Sequence, residues 1–106
     1  MTKIINLTPH DIVITNGTTF PPSGIVARVS VQQVDAGDIN GIPVKTQTFG
    51  DIVDLPAPQK DTIFIVSAMV LNAAKAAGRD DVVAPDTANA VRNDDGHIVS
   101  VPGFIK

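Results

Sequence analysis

The stretch "TIFIVSAMVLNAAKAAGRDD", residues 62–81, decides the fold of this chain. Its opening "TIFIV" is β-branched and aromatic and holds no charge, the composition of a central strand. From Ala68 to Ala77 the composition changes to Ala, Met, Leu, Asn and Lys, which suits a helix. Ser67 stands where an N-cap belongs and Gly78 where a left-handed C′ residue belongs. A buried stripe is expected from Met69, Val70, Ala73, Ala74 and Ala77. The run Arg79, Asp80, Asp81 then has two readings. In one, Arg79 neutralises the negative end of the helix while the aspartates build a turn. In the other, Arg79 is a planar donor for a phosphate, with Asp80 or Asp81 orienting it or accepting from a sugar hydroxyl.

Working outward, the chain reads as short strands and turns. "KIINL" and "DIVIT" are β-prone segments separated by "TPH", whose proline interrupts pairing. Asn16-Gly17 between "DIVIT" and "TTF" predicts a type I′ hairpin turn. "FPPSG" is a loop, and "IVARVSVQQV" alternates as a strand with Ile25, Ala27, Val29 and Val31 on one face. "DAGDING" predicts a turn leading into a partner strand, "IPVKTQTF". "GDIVD" is one further short strand before the proline-broken "LPAPQKD". "NAVRNDDGHIVSV" reads as a hairpin turning at Asp95-Gly96, and "PGFIK" closes the chain. The fold class that follows is α+β: a small antiparallel β-sheet or open barrel, with one α-helix after a central strand.

The whole-chain composition narrows the function. At 106 residues the chain makes a single domain with a modest core, and 43% apolar with 18% charged residues is ordinary for a globular protein. A net charge of −3 with eight basic residues argues against a nucleic-acid partner, which needs clustered Lys and Arg. All eleven acidic residues are Asp, the residue of caps and turns, and none is Glu. The chain has no cysteine, so it has no disulfide framework and no thiolate nucleophile. No apolar run reaches the length of a membrane span and no secretory h-region opens the chain; the expectation is a cytoplasmic protein with no membrane partner.

Three polar groupings are candidates for chemistry. Asn6, Thr8 and His10 alternate in "NLTPH", so in a strand-like segment they share a face. They would line a pocket, or form the exposed face of an edge strand, with Thr8 anchoring the turn at Pro9. Ser67, besides capping, leaves the N–H groups of Ala68 and Met69 to face an anion. It resembles a nucleophile elbow only superficially, because the positions two either side are Ile65 and Met69 instead of small residues. Arg28 and Arg92 add two further cations. With two histidines and no cysteine, a metal site is not expected. No P-loop, dinucleotide fingerprint or calcium loop is present, so no cofactor is expected.

Taken in order, "NLTPH" (6–10), "PSGIVARV" (22–29), "DLPAPQ" (54–59), "IVSAMV" (65–70), "RDDVVAP" (79–85) and "VPGF" (101–104) resemble elements of a group of short proteins encoded by bacteriophages and prophages. The resemblance implies a phage setting, hence the host cytoplasm, and carries no site residue over.

The leading expectation is a non-catalytic protein that binds a small nucleotide-derived host defence signal and sequesters it. The ligand-binding set would be Asn6, Thr8, His10, Arg28, Ser67, Arg79, Asp80, Asp81 and Arg92. Ser67 and Arg79 stand at opposite ends of a helix ~16 Å long, so sharing one pocket would need a second subunit or the returning chain through Pro85. A homo-oligomer is therefore expected. The alternative is a phage structural or protein-interaction module, whose hairpin edges suit strand addition. A small hydrolase using Ser67 or an aspartate with a histidine is a distant third.

Overall fold

Strand β6 (Thr62–Ile65) is the centre of the molecule, with Phe64, Ile65 and the following Val66 fully buried. The computed structural model describes residues 2–106 and, of Phe49, the backbone alone. On one side β6 pairs in parallel with β1 (Lys3–Asn6), from Lys3 opposite Thr62 to Asn6 opposite Ile65. On the other it pairs in parallel with β7 (Val82–Pro85), and β10 (Phe104–Ile105) closes the edge antiparallel to β7. The four-stranded order is β1-β6-β7-β10. Helix α1 (Ala68–Ala76) crosses between β6 and β7. Its presence explains the direction of β7: a chain that leaves a strand, packs a helix on the sheet and returns beside it must run parallel.

The expected α+β class is the one observed: among the described residues one α-helix follows a central strand and no sheet closes into a barrel. The remaining sheets are antiparallel pairs: β2 (Ile12–Val13) with β3 (Thr19–Phe20), β4 (Arg28–Ile39) with β5 (Ile42–Val53), and β8 (Val91–Arg92) with β9 (Ile98–Ser100). Among the described residues no helix is long and apolar enough to cross a membrane.

Helix α1 begins and ends as its sequence dictates. Ser67 takes an extended backbone and its Oγ accepts the Val70 N–H at 3.3 Å. At the other end Gly78 adopts φ +84°, its N–H donating to the Lys75 carbonyl while the Arg79 N–H donates to that of Ala74. This is the Schellman pattern, which a side chain at Gly78 would strain. The buried stripe is rotated from the expected one. Val70, Leu71 and Ala74 face the core, whereas Met69 is 51% exposed and Ala77 is also exposed. These three pack with Leu7, Ala27, Phe64, Val66, Val82 and Ala84.

The Asn16-Gly17 hairpin forms, but not with the expected I′ turn. Gly17 alone of the pair has positive φ, its N–H donating to the Ile14 carbonyl while the Ile14 N–H donates to that of Thr18. That is a type I turn closed by a left-handed glycine. The β8–β9 hairpin repeats the scheme: the Gly96 N–H donates to the Asn93 carbonyl and the Asn93 N–H to that of His97.

The largest departure from expectation is the β4–β5 ribbon. "IPVKTQTF" and "GDIVD" are one twelve-residue strand, and β4 continues through "DAGDI" by way of a bulge between Asp35 and Asp38. The turn falls on Asn40 (φ 52°) and Gly41 (φ 81°), the two left-handed positions of a I′ turn. Of the face expected from Ile25, Ala27, Val29 and Val31, only Ala27 and Val29 reach the core; Ile25 and Val31 are exposed. Beyond Val29 and Ile52 nearly the whole ribbon meets solvent. The radius of gyration is accordingly 16.5 Å, against about 13 Å for a compact chain of this size.

Candidate functional site

Two hollows flank the start of α1. The larger, of about 910 Å³, is lined by segments far apart in sequence. Thr8, His10 and Asp11 come from the turn after β1, Ser67 and Ala68 from the helix start, and Arg92 and His97 from the last hairpin. Its apolar wall includes Ile12, Val13, Ile98 and Val101. The wall is tied together by backbone bonds: the Val101 N–H donates to the Val13 carbonyl at 2.9 Å and the Thr15 N–H to that of Val101 at 3.0 Å. A volume of this size suits a drug-sized ligand, and the pairing of apolar wall with a few polar groups is typical of such sites.

The "NLTPH" turn owes its shape to Asn6, which is 2% exposed. Its Nδ2 donates to the carbonyls of His10 and Phe20, each at 2.8 Å. Its Oδ1 accepts the Thr8 N–H at 2.9 Å and the Thr8 hydroxyl at 2.7 Å. Both donors and both lone pairs are therefore used within the chain. Asn6 builds the turn, Thr8 is buried in it, and the exposed His10 side chain lines the hollow beyond.

At the helix start, Ser67 satisfies the Val70 N–H, and those of Ala68 and Met69 have no acceptor among the described residues. They present the positive end of the helix beside the hollow that Ser67 and Ala68 line. Arg92 is steadied by the turn it belongs to, its Nη1 donating to the Gly96 carbonyl at 2.9 Å. The Asn93 side-chain oxygen holds the same turn by accepting the N–H groups of Asp95 and His97, each at 3.0 Å.

The arginine at the far end of α1 is engaged elsewhere. Arg79 grips Asp81 with two bonds, Nε to Oδ1 at 2.9 Å and Nη2 to Oδ2 at 2.8 Å. Nη2 also donates to the Pro56 carbonyl at 2.9 Å. The bond from Arg79 holds the Asp81 carboxyl below the usual carboxylate range, with burial opposing it. The same bond raises Arg79 against the opposing effect of burial. The pair clamps the "DLPAP" loop to the base of β7.

Of the residues expected to bind ligand, the structure brings Thr8, His10, Ser67 and Arg92 to one hollow. Asn6 lies directly beneath them as scaffold. Arg28 lines the smaller hollow, of about 240 Å³, together with Leu7, Val26, Met69 and Val70. Arg79, Asp80 and Asp81 do not line either hollow. A nine-residue helix separates the two ends, a span of ~14 Å. Asp11 and His97 were not among the expected residues. His97 directly follows the predicted Asp95-Gly96 turn, yet nothing local places that turn opposite His10.

Comparison with protein-family models, with curated proteins and with solved structures returns no match to this chain.

Proposed function

We propose that the chain binds a small nucleotide-type ligand in the larger hollow and holds it without chemical turnover. What supports this reading is the convergence of Thr8, His10, Ser67, Arg92 and His97 on one concavity with an apolar wall. Arg92, the imidazoles and the free N–H groups of the helix start suit a phosphate, while Ile12, Val13 and Ile98 suit the flat apolar faces of a base. Retention without turnover fits the occupation of Ser67 Oγ, which caps the helix. Among the described residues it forms no bond with His10 or His97 that would activate it. In the phage setting that the sequence elements imply, such a protein sequesters a host defence signal in the cytoplasm.

The experiment is a thermal-shift screen with ADP, ADP-ribose, cyclic mononucleotides and cyclic dinucleotides, repeated on Arg92→Ala and His97→Ala. Binding at a hundredfold excess over Kd adds ~2.7 kcal/mol, a shift on the order of 10 °C for a domain of this size. At least one probe is expected to give such a shift, reduced in both variants.

The β4–β5 ribbon favours a second reading, a phage structural or protein-interaction module. Twelve residues in each strand extend from the body with most side chains in solvent. Such a ribbon offers an edge and a face for another chain. Co-sedimentation with virions, with no response to nucleotides, would favour that reading.

A further inference from the structure

Two of the six asparagines, Asn16 and Asn40, are followed by glycine. In that dipeptide the glycine nitrogen can attack the asparagine side-chain carbon Cγ, because no Cβ on the following residue crowds the approach. The attack asks three things of the fold. The side-chain amide must not be held away, the glycine N–H must not already be donating, and the backbone must be free to bring nitrogen and carbon into contact. Both dipeptides sit on hairpin turns and both are exposed, so access to water does not distinguish them. Hydrogen bonding does.

Asn16 is held on every count. Its Oδ1 accepts the Thr18 N–H at 2.9 Å, and the Gly17 N–H donates to the Ile14 carbonyl at 2.9 Å. The turn is also pinned to the body: Ile14 is buried and bridges Val101, and the Thr15 N–H donates to the Val101 carbonyl at 3.0 Å. Asn40 has none of these ties. Among the described residues neither its side chain nor the Gly41 N–H forms a hydrogen bond. Its flanking pair, Ile39 opposite Ile42, is 63% and 66% exposed. A two-stranded ribbon is at best marginally stable alone in water, and an end without buried contacts opens locally at little cost. Opening that last pair releases Asn40 from its left-handed backbone, φ 52°, and lets the Gly41 nitrogen reach Cγ.

We propose that Asn40, at the tip of the β4–β5 ribbon, is a site of spontaneous deamidation in the folded protein, while the fold protects Asn16. The Gly41 nitrogen bonds to Asn40 Cγ and loses its proton. The Cγ–Nδ2 bond breaks with its electron pair going to nitrogen, and ammonia leaves a five-membered succinimide. Water then adds to one of the two ring carbonyls and opens the ring, giving aspartate or isoaspartate; no other reactant is consumed. Either product makes the chain one unit more negative than its present −3. Isoaspartate also routes the main chain through the side-chain carbon, adding an atom to a I′ turn that fits two ordinary residues. The site lies outside the larger hollow and does not depend on the nucleotide reading.

The test is a time course of the wild-type protein at pH 8.5 and 37 °C in ¹⁸O-labelled water, folded and in urea, followed by tryptic peptide mapping. Cleavage after Lys3, Arg28 and Lys45 places Asn16 and Asn40 in separate peptides, 4–28 and 29–45. In the folded protein peptide 29–45 is expected to convert at least tenfold faster than peptide 4–28. Each converted chain is expected to carry one ¹⁸O at Asn40, and Asn40→Asp provides the reference for the aspartate product. In urea the two peptides are expected to convert at rates within a few-fold of each other, because only the fold separates them. A peptide 29–45 that stays intact in the folded protein, or a peptide 4–28 that converts as fast, would each overturn the proposal. So would a tenfold difference that persists in urea, since the sequence alone would then set it.

Discussion

Asn6 and Phe20 are joined by a 2.8 Å hydrogen bond from the Asn6 amide to the Phe20 carbonyl, which ties the central sheet to the β2–β3 hairpin. The second amide hydrogen goes to the His10 carbonyl, so one buried side chain fixes both the turn and the wall of the larger hollow. Asn6→Ala leaves the His10 and Phe20 carbonyls and the buried Thr8 donors without their partner. A loss of ~3 kcal/mol is expected, since each orphaned buried group costs about 1–3 kcal/mol. Urea denaturation measures it, and a change within 0.5 kcal/mol would mean that Asn6 is not the organiser of this turn.

Ser67 separates capping from ligand binding. Ser67→Ala is expected to lose ~1 kcal/mol, the usual worth of a helix N-cap. Ser67→Asp is expected to recover that stability, because a carboxylate also caps and favours the helix start. The same carboxylate repels an anion in the larger hollow, so the nucleotide-induced thermal shift is expected to disappear in Ser67→Asp. Full retention of the shift there would place the phosphate elsewhere.

The Arg79–Asp81 clamp makes stability depend on acid. Asp81 is held below the usual carboxylate range in the folded protein. Its contribution is therefore complete above the unfolded value of ~4 and is lost as pH falls through the lower folded value. The pair is only 19% and 12% exposed, so salt screens it weakly. Between pH 5 and pH 2 the wild-type denaturation midpoint is expected to fall more steeply than that of Asp81→Asn. Parallel acid limbs in the two proteins would show that the clamp contributes nothing. Raising the pH to 9 is expected to leave this contribution intact, because Arg79 is raised above its already high value.

Gly50 permits the ribbon's inner register. A Cβ built there would strike Ser30 Oγ, which donates to the Asp51 carbonyl. Gly50→Ala is expected to cost about 1 kcal/mol from this crowding. Adding Ser30→Ala is expected to recover most of it, read as thermal midpoints. Independent, additive costs would rule out the contact.

Local chemistry made α1 legible, because Ser67 and Gly78 act on backbone groups within four residues of themselves. The two glycine hairpins were legible for the same reason, although the turn at Asn16-Gly17 is not the expected type I′, because Gly17 alone of the pair has positive φ. Long-range pairing was not. Lys3 meets Thr62 across most of the chain, and no local pattern announces a parallel partner at that distance. The long ribbon was hidden by Gly37 and Gly50, which read as breaks but serve as a bulge and a point of close packing. The site was half legible. Thr8, His10, Ser67 and Arg92 stood out as polar residues at element ends, whereas His97 and Asp11 gained their place only from how the last hairpin folds over the first. Arg79 read as helix terminator ahead of ligand donor, and in the fold it bonds the Asp81 carboxylate and the Pro56 carbonyl.

The central claim is that the larger hollow holds a phosphate-bearing nucleotide, and isothermal titration of wild type and Arg92→Ala with the strongest probe from the thermal screen tests it most directly. A saturable isotherm for wild type, weakened at least tenfold in an Arg92→Ala protein that still melts cooperatively, is the predicted result. A flat thermal screen, or an isotherm that Arg92→Ala leaves unchanged, would contradict it.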